Sequence, residues 1–203
     1  VVHKLLKELF SWGKTIVFSL AIFIVISIFV FQPYTVNGSS MEPTFIGTDP
    51  YDEEQKGDRV FVSKSSYKLF GEPKAGDIIV IDSRTYKPRT LVDELKEHPL
   101  VAIFKESPDN YKWIKRVIGE PGDRLELKQG TLYRNGEELN EDYIFEGMDG
   151  SFEAITVPED HVFVLGDNRN HSGDSRMIGT IPYENIVGKV MVRYFPFNKL
   201  NLF

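Results

Sequence analysis

The sequence predicts a mostly β protein, in which a single N-terminal transmembrane helix is followed by a domain of antiparallel β-sheet. Three observations predict this. From Thr15 to Phe31 the chain reads TIVFSLAIFIVISIFVF without a charge. Beyond that run, short apolar segments recur, divided by Gly, Pro, Asp and Asn, which is the pattern of strands and turns. Outside RTLVDELKEH (Arg89–His98), the later part of the chain contains no long amphipathic helical pattern.

The helix comes first. About 20 residues at ~1.5 Å each cross a bilayer core, and the uncharged stretch continues to Met41. A buried helix of a soluble protein is rarely apolar on every face. The run is long for the apolar region of a cleaved leader, and QPYTVNGSS supplies no Ala-x-Ala cleavage site. An uncleaved anchor over residues 15–33 is therefore expected, with the lipid bilayer as its partner. Lys4, Lys7 and Lys14 lie in the basic segment 1–14, while Glu42, Asp49, Asp52, Glu53 and Glu54 follow the run. The bias of basic residues toward the inner side puts the N-terminus in the cytoplasm and residues 34–203 outside.

Charge and composition exclude several classes of function. The 203-residue chain has a formal net charge of -6. Without its first 31 residues it carries 21 basic and 29 acidic side chains, a charge of -8. A nucleic-acid partner is not expected of such a surface. There are no cysteines, so disulfides and thiolate metal sites are out. His3, His98, His161 and His171 are scattered without paired ligand spacing. Neither a metal nor a cofactor is expected.

The β elements follow in order. DRVFVSK (Asp58–Lys64) alternates, with Val60 and Val62 on one face. GDIIVID (Gly76–Asp82), KWIKRVIG (Lys112–Gly119) and DRLELK (Asp123–Lys128) read as further strands. LYRNGEEL is a hairpin around Asn135-Gly136, the strongest short-range turn signal. HVFVLGD (His161–Asp167) and IVGKVMVRYF (Ile186–Phe195) complete the set. Residues 86–110 read as a polar insertion between strands.

Three stretches carry chemistry. TVNGSSMEPTF (Thr35–Phe45) puts two serines in a Gly- and Pro-bounded turn. A serine needs a base, either a histidine backed by an acid or a desolvated lysine. His171 adjoins Ser172, but neighbouring residues of an extended chain point to opposite sides. Lys115 alternates with Trp113 and Val117 on one strand face, where a charged amine is costly. An edge lysine whose amine reaches water fits that pattern equally well. The third stretch, GDNRNHSGDSR (Gly166–Arg176), is dense in hydrogen-bonding groups and reads either as a solvated loop or as the support of a site.

GSSMEPT, GDRVFVSK, KRVIGEPGD and GDNRNHSGDSR together resemble the type I signal peptidases, in order and spacing, from about Tyr34 to Phe197. The single span and compact size are similar to the Gram-positive form. The resemblance implies a Ser/Lys serine protease of the signal peptidase fold on the outer face of a bacterial cytoplasmic membrane. It would cleave signal peptides from exported preproteins after small residues, of the Ala-x-Ala type, through an acyl-enzyme. It also implies a substrate lying extended as an added strand. Matched motif by motif, Ser40 is the nucleophile and Lys115 the general base. Ser172 hydrogen-bonds the lysine amine, Asp174 and Arg176 brace the site, and Met41 lines the cleft. Where the Gram-negative form has a serine that donates to the oxyanion, this chain has Gly38. The rivals are a self-cleaving Ser/Lys regulator, whose DNA-binding domain is replaced here by the apolar run, and an anchored module without activity.

Overall fold

The computed structural model of the protein describes residues 2–69, 71–96 and 111–203. Helix α1 (Val2–Phe29) leads into β1 (Phe31–Thr35), β2 (Thr48–Asp49), β3 (Asp52–Lys56) and β4 (Arg59–Ser63). Helix α2 (Ser66–Leu69), β5 (Ile78–Asp82) and helix α3 (Leu91–Lys96) come next. Then come β6 (Lys112–Gly119), β7 (Arg124–Lys128), β8 (Thr131–Arg134), β9 (Glu137–Glu138), β10 (Ile155–Thr156) and β11 (His161–Leu165). A one-turn helix α4 (Ser175–Ile178), β12 (Ile181–Pro182), β13 (Ile186–Phe195) and β14 (Asn201–Leu202) close the chain.

The main sheet has the order β1-β4-β13-β5-β6-β11-β12, with β14 added against β13. Every ladder in it is antiparallel. Strand β5 is buried along its whole length, which is why IIVID is apolar at successive rather than alternate positions. One face of the sheet packs Val60, Val62, Val80 and Val190 against Met41 and Phe45. The other packs Ile79, Ile81, Val117 and Val164 with Trp113 and Tyr183.

A second sheet, β10-β7-β8-β9, stands beside the first. Its core of Leu125, Leu127 and Leu132 is shared with Ile118 of β6 and with Phe163 and Leu165 of β11. The small sheet thus buttresses the two strands that lead to the chemistry. Its hairpin turns at Asn135 and Gly136, both with positive φ (57° and 86°), as a type I′ turn demands.

The N-terminal boundary differs from the sequence expectation. The helix ends at Phe29, and Phe31–Pro33, expected to be part of the anchor, belong to β1 and pair with Phe61–Ser63. Pro33 has no N–H and pushes Gln32 out of the helical region, so the apolar run finishes as an edge strand. Among the described residues no helix is long and apolar enough to cross a membrane. The expected span therefore rests on the sequence run itself. Of the polar insertion, residues 86–96 contribute α3, and residues 97–110, with His98, lie outside the described residues.

Candidate active site

The turn after β1 sets Ser40 facing β6. Lys115 lies on β6 opposite Ile79, and its side chain rises on the face shared with Val117 and Trp113. Its Nζ donates to Ser40 Oγ at 2.7 Å. Lys115 is 3% exposed, and among the described residues no carboxylate pairs with it. Burial pulls its pKa from 10.5 down to about 8, against an opposing pull from the more distant Asp174 and Asp167; Arg176 adds to the depression. A neutral amine therefore lies within easy reach of neutral pH. Of the sequence's two readings of this lysine, the buried one holds.

The loop Gly166–Arg176 closes the site from the side of β11. Asn168 donates its N–H to the Ser40 carbonyl at 3.1 Å, and its Nδ2 to the Ser39 carbonyl at 3.2 Å. Asp174 caps α4 by accepting from Arg176 N, receives Gly166 N–H, and pairs with Arg176 Nε at 2.7 Å. Arg176 Nη2 also holds the carbonyls of Arg169 and Ser172. Asp174 and Arg176 thus brace the loop from within. At Gly166 the loop passes so close to the Ser40 carbonyl and Ser172 Oγ that a Cβ would collide with both.

Two expectations change. Ser172 Oγ bonds not to the lysine amine but to the Gly173 carbonyl, at 3.4 Å. Its hydroxyl remains beside the Ser40 backbone, but the lysine's hydrogen bond is taken by Ser40. Met41 is fully buried among Val36, Phe45 and Val60 and does not line the cleft. With Ser40 turned toward Lys115, the next side chain points into the core. Gly38, by contrast, is at the cleft, exposed and with φ +71; a Cβ on Gly38 would meet open space, whereas one on Gly47 would strike the Gly38 backbone. Among the described residues the Ser40 N–H has no acceptor.

His171 sits at the rim of the cleft, exposed, and makes no bond to Ser40. The cleft has a volume of about 440 Å³ and runs past Trp113 and Gly173. A hollow of about 60 Å³ adjoins it along Val36, Val80 and Ile114. Residues beyond the sequence reading also matter. Asp167 accepts both Nε and Nη2 of Arg116, at 2.8 and 2.7 Å, and the hydroxyl of Thr44. This ties the serine's turn to the lysine's strand through one buried carboxylate. The dense motif containing Asp167 and Asn168 was a usable signal for it.

Residues 9–195 match the family described as signal peptidase, peptidase S26. The chain belongs to this family. A signal peptidase I from Bacillus licheniformis is 34% identical, covering 96% of this chain and 92% of that protein. A probable signal peptidase I-1 from Synechocystis is 36% identical, covering 88% and 78%. A crystal structure of a signal peptidase I from Enterococcus faecalis is 30% identical over 58% of this chain and 96% of that one, with a TM-score of 0.42. The protein is thus a serine peptidase of the S26 family, and its mostly antiparallel β architecture is the signal peptidase fold.

Proposed function

We propose that this chain is a single-pass membrane endopeptidase that removes signal peptides from exported preproteins with a Ser40/Lys115 dyad. The observation that carries the reading is the 2.7 Å bond between Lys115 Nζ and Ser40 Oγ, made by a lysine whose pKa burial lowers to about 8. The neutral amine takes the Ser40 proton as Oγ attacks the scissile carbonyl carbon. The resulting ammonium then gives that proton to the leaving amine as the C–N bond breaks. Water activated by the same amine hydrolyses the ester and frees Ser40. The Ser40 N–H supplies one oxyanion donor; Gly38 offers no hydroxyl, so a second donor comes from elsewhere. One such donor is worth roughly 10²–10³ in rate.

The substrate lies extended between the ends of β1 and β6, its main chain adding a strand. The 60 Å³ hollow beside the cleft suits a methyl-sized side chain and supports the preference for Ala-x-Ala sequences. Ser172, Asp174 and Arg176 act as support. Their contacts run through the loop backbone and the surroundings of the amine.

In the membrane, residues 1–14 face the cytoplasm, the run from Thr15 to the end of α1 at Phe29 holds the span, and the chain from β1 onward forms the outer catalytic part. Phe10, Trp12, Phe18 and Phe23 leave α1 exposed and apolar on several sides, which supports lipid as its solvent. Where α1 meets the sheet, Phe31, Phe61 and the exposed tail residues Phe197, Leu200 and Leu202 extend the apolar surface. The acyl-chain boundary of a lipid bilayer is the partner such a surface suits.

The test is cleavage of a purified preprotein by the wild type and by Ser40→Ala in detergent. Cleavage after a small residue, lost in the variant, is expected. No cleavage by the wild type would leave the inactive module in its place. For topology, protease added to spheroplasts should digest the region after Phe31, and protection of that region would overturn the orientation.

A further inference from the structure

The connection from β9 to β10 belongs to the small sheet and lines neither the cleft nor the hollow beside it. It nevertheless makes several contacts to the catalytic loop. Glu141 Oε1 and Oε2 accept two parallel bonds from Arg169, at 2.5 and 2.6 Å. Arg169 is 1% exposed and its partner carboxylate 7%. Asn170 Nδ2 donates to Glu146 Oε1 at 2.9 Å, and Asn170 Oδ1 accepts Asp149 N–H at 2.8 Å. Tyr143 donates to Glu141 and presents its ring to the Arg116 guanidinium at 4.0 Å.

The path from this connection to the nucleophile is short. Arg169 Nε donates to the Gly166 carbonyl at 3.1 Å. Gly166 is the close approach beneath the Ser40 carbonyl, and Asn168, one residue before Arg169, holds the Ser40 and Ser39 carbonyls. An unpaired arginine could not stay in that site, because a buried guanidinium without its carboxylate costs far more than a surface one. Without Glu141, Arg169 would have to leave and the loop would lose its hold at Gly166.

We infer that residues 141–149 form a strap by which the small sheet positions the Ser40 turn, with Glu141 and Arg169 as positioning residues for peptide cleavage. The inference rests on the Ser40/Lys115 reading. Because the strap touches no substrate surface, it acts on the geometry of attack, where a displacement of about 1 Å can cost ~10²-fold. Its signature is a fall in kcat at constant KM.

The test compares the full chain with Glu141→Gln, Glu141→Asp and Arg169→Lys on one preprotein. Rates are expressed per folded molecule and measured well below the melting temperature of each variant. Glu141→Gln and Arg169→Lys should lower kcat about 10- to 100-fold with KM unchanged, since neither keeps the paired charge-assisted bonds. Glu141→Asp, which retains the charge, should recover part of the loss. The Glu141→Gln/Arg169→Lys double variant should be no worse than either single one. Unchanged kcat, or a rise in KM alone, overturns the strap. Should Glu141→Gln not fold, Glu141→Asp and Arg169→Lys decide by the same split. Ser40→Ala run in parallel separates the two readings: activity there refutes the dyad, whereas an inactive Ser40→Ala beside an unaffected Glu141→Gln refutes the strap alone.

Discussion

Arg169 and Lys115 are both cations sealed from solvent, at 1% and 3% exposure, yet their surroundings differ. Arg169 meets a carboxylate through two parallel bonds, and its pKa is raised although burial opposes that. Lys115 meets a neutral hydroxyl, and its two nearby acids, Asp174 and Asp167, are taken by Arg176 and Arg116. Desolvation then prevails and its pKa falls. Burial alone therefore does not decide whether a cation becomes a base; what decides it is how the acids around it are shared out. Arginine suits the first place because it does not deprotonate, and lysine the second because it can.

The largest effect should come from exchanging the two chemistries. Lys115→Arg puts a permanent cation against Ser40 and should cut preprotein cleavage at least about 10⁴-fold, as losses of catalytic bases do. Substantial activity in that variant would turn attention to His171 at the rim. Ser40→Ala combined with Lys115→Arg should be no worse than either single change.

Next comes the pH dependence. As the proposed base Lys115 must be neutral, and its neutral fraction grows with pH, so kcat/KM should rise through about 8 and level off above. Asp174 favours the ammonium and Arg176 disfavours it. Asp174→Asn should therefore move the midpoint down and Arg176→Gln should move it up, each by about one unit or less. Both changes also loosen the loop and lower the plateau. The midpoints alone carry the electrostatic comparison, and equal shifts in one direction would break it.

The smallest effect is on stability. A lysine whose folded pKa lies below its unfolded value destabilises the fold wherever the unfolded chain binds the proton more readily. The penalty is full below about pH 8 and fades as pH rises toward the free value of ~10.4. Lys115→Met should thus gain on the order of 1–3 kcal/mol near pH 7 while abolishing activity. The gain should shrink as pH rises from about 8 to about 10. Chemical denaturation of the outer domain at two pH values would measure it, and a loss of stability would mean that the amine is better solvated than its burial implies.

Much of the sheet was legible because the strands that build it are strongly apolar or alternate cleanly. The segments IIVID, KWIKRVIG and IVGKVMVRYF became β5, β6 and β13, and Asn135-Gly136 turned where expected. Ser40 and Lys115 come together because strand periodicity fixed the face of the lysine and the turn residues fixed the place of the serine. β1 was hidden within the apolar run, since Phe31 reads equally well as hydrocarbon in lipid or as an edge residue. Met41 misled because a motif match carries over a residue's position and not the way its side chain points. The Glu141–Arg169 pair joins residues 28 apart, and a single distant ion pair leaves no period in a sequence.

Only Val30 separates the end of α1 from the start of β1, and all five residues of β1 are paired with β4. Ser40, the proposed nucleophile, is therefore carried on a stiff arm rather than a tether. Ser40 follows Phe31 by nine residues, which at ~3.3 Å each caps the arm at about 30 Å. On the proposed placement of α1 in a bilayer, this arm would be a caliper set to one height above the lipid. A peptide held by its own apolar segment would then bring only the bond at that height to Ser40, which would make the choice of bond a matter of length as well as of side chain.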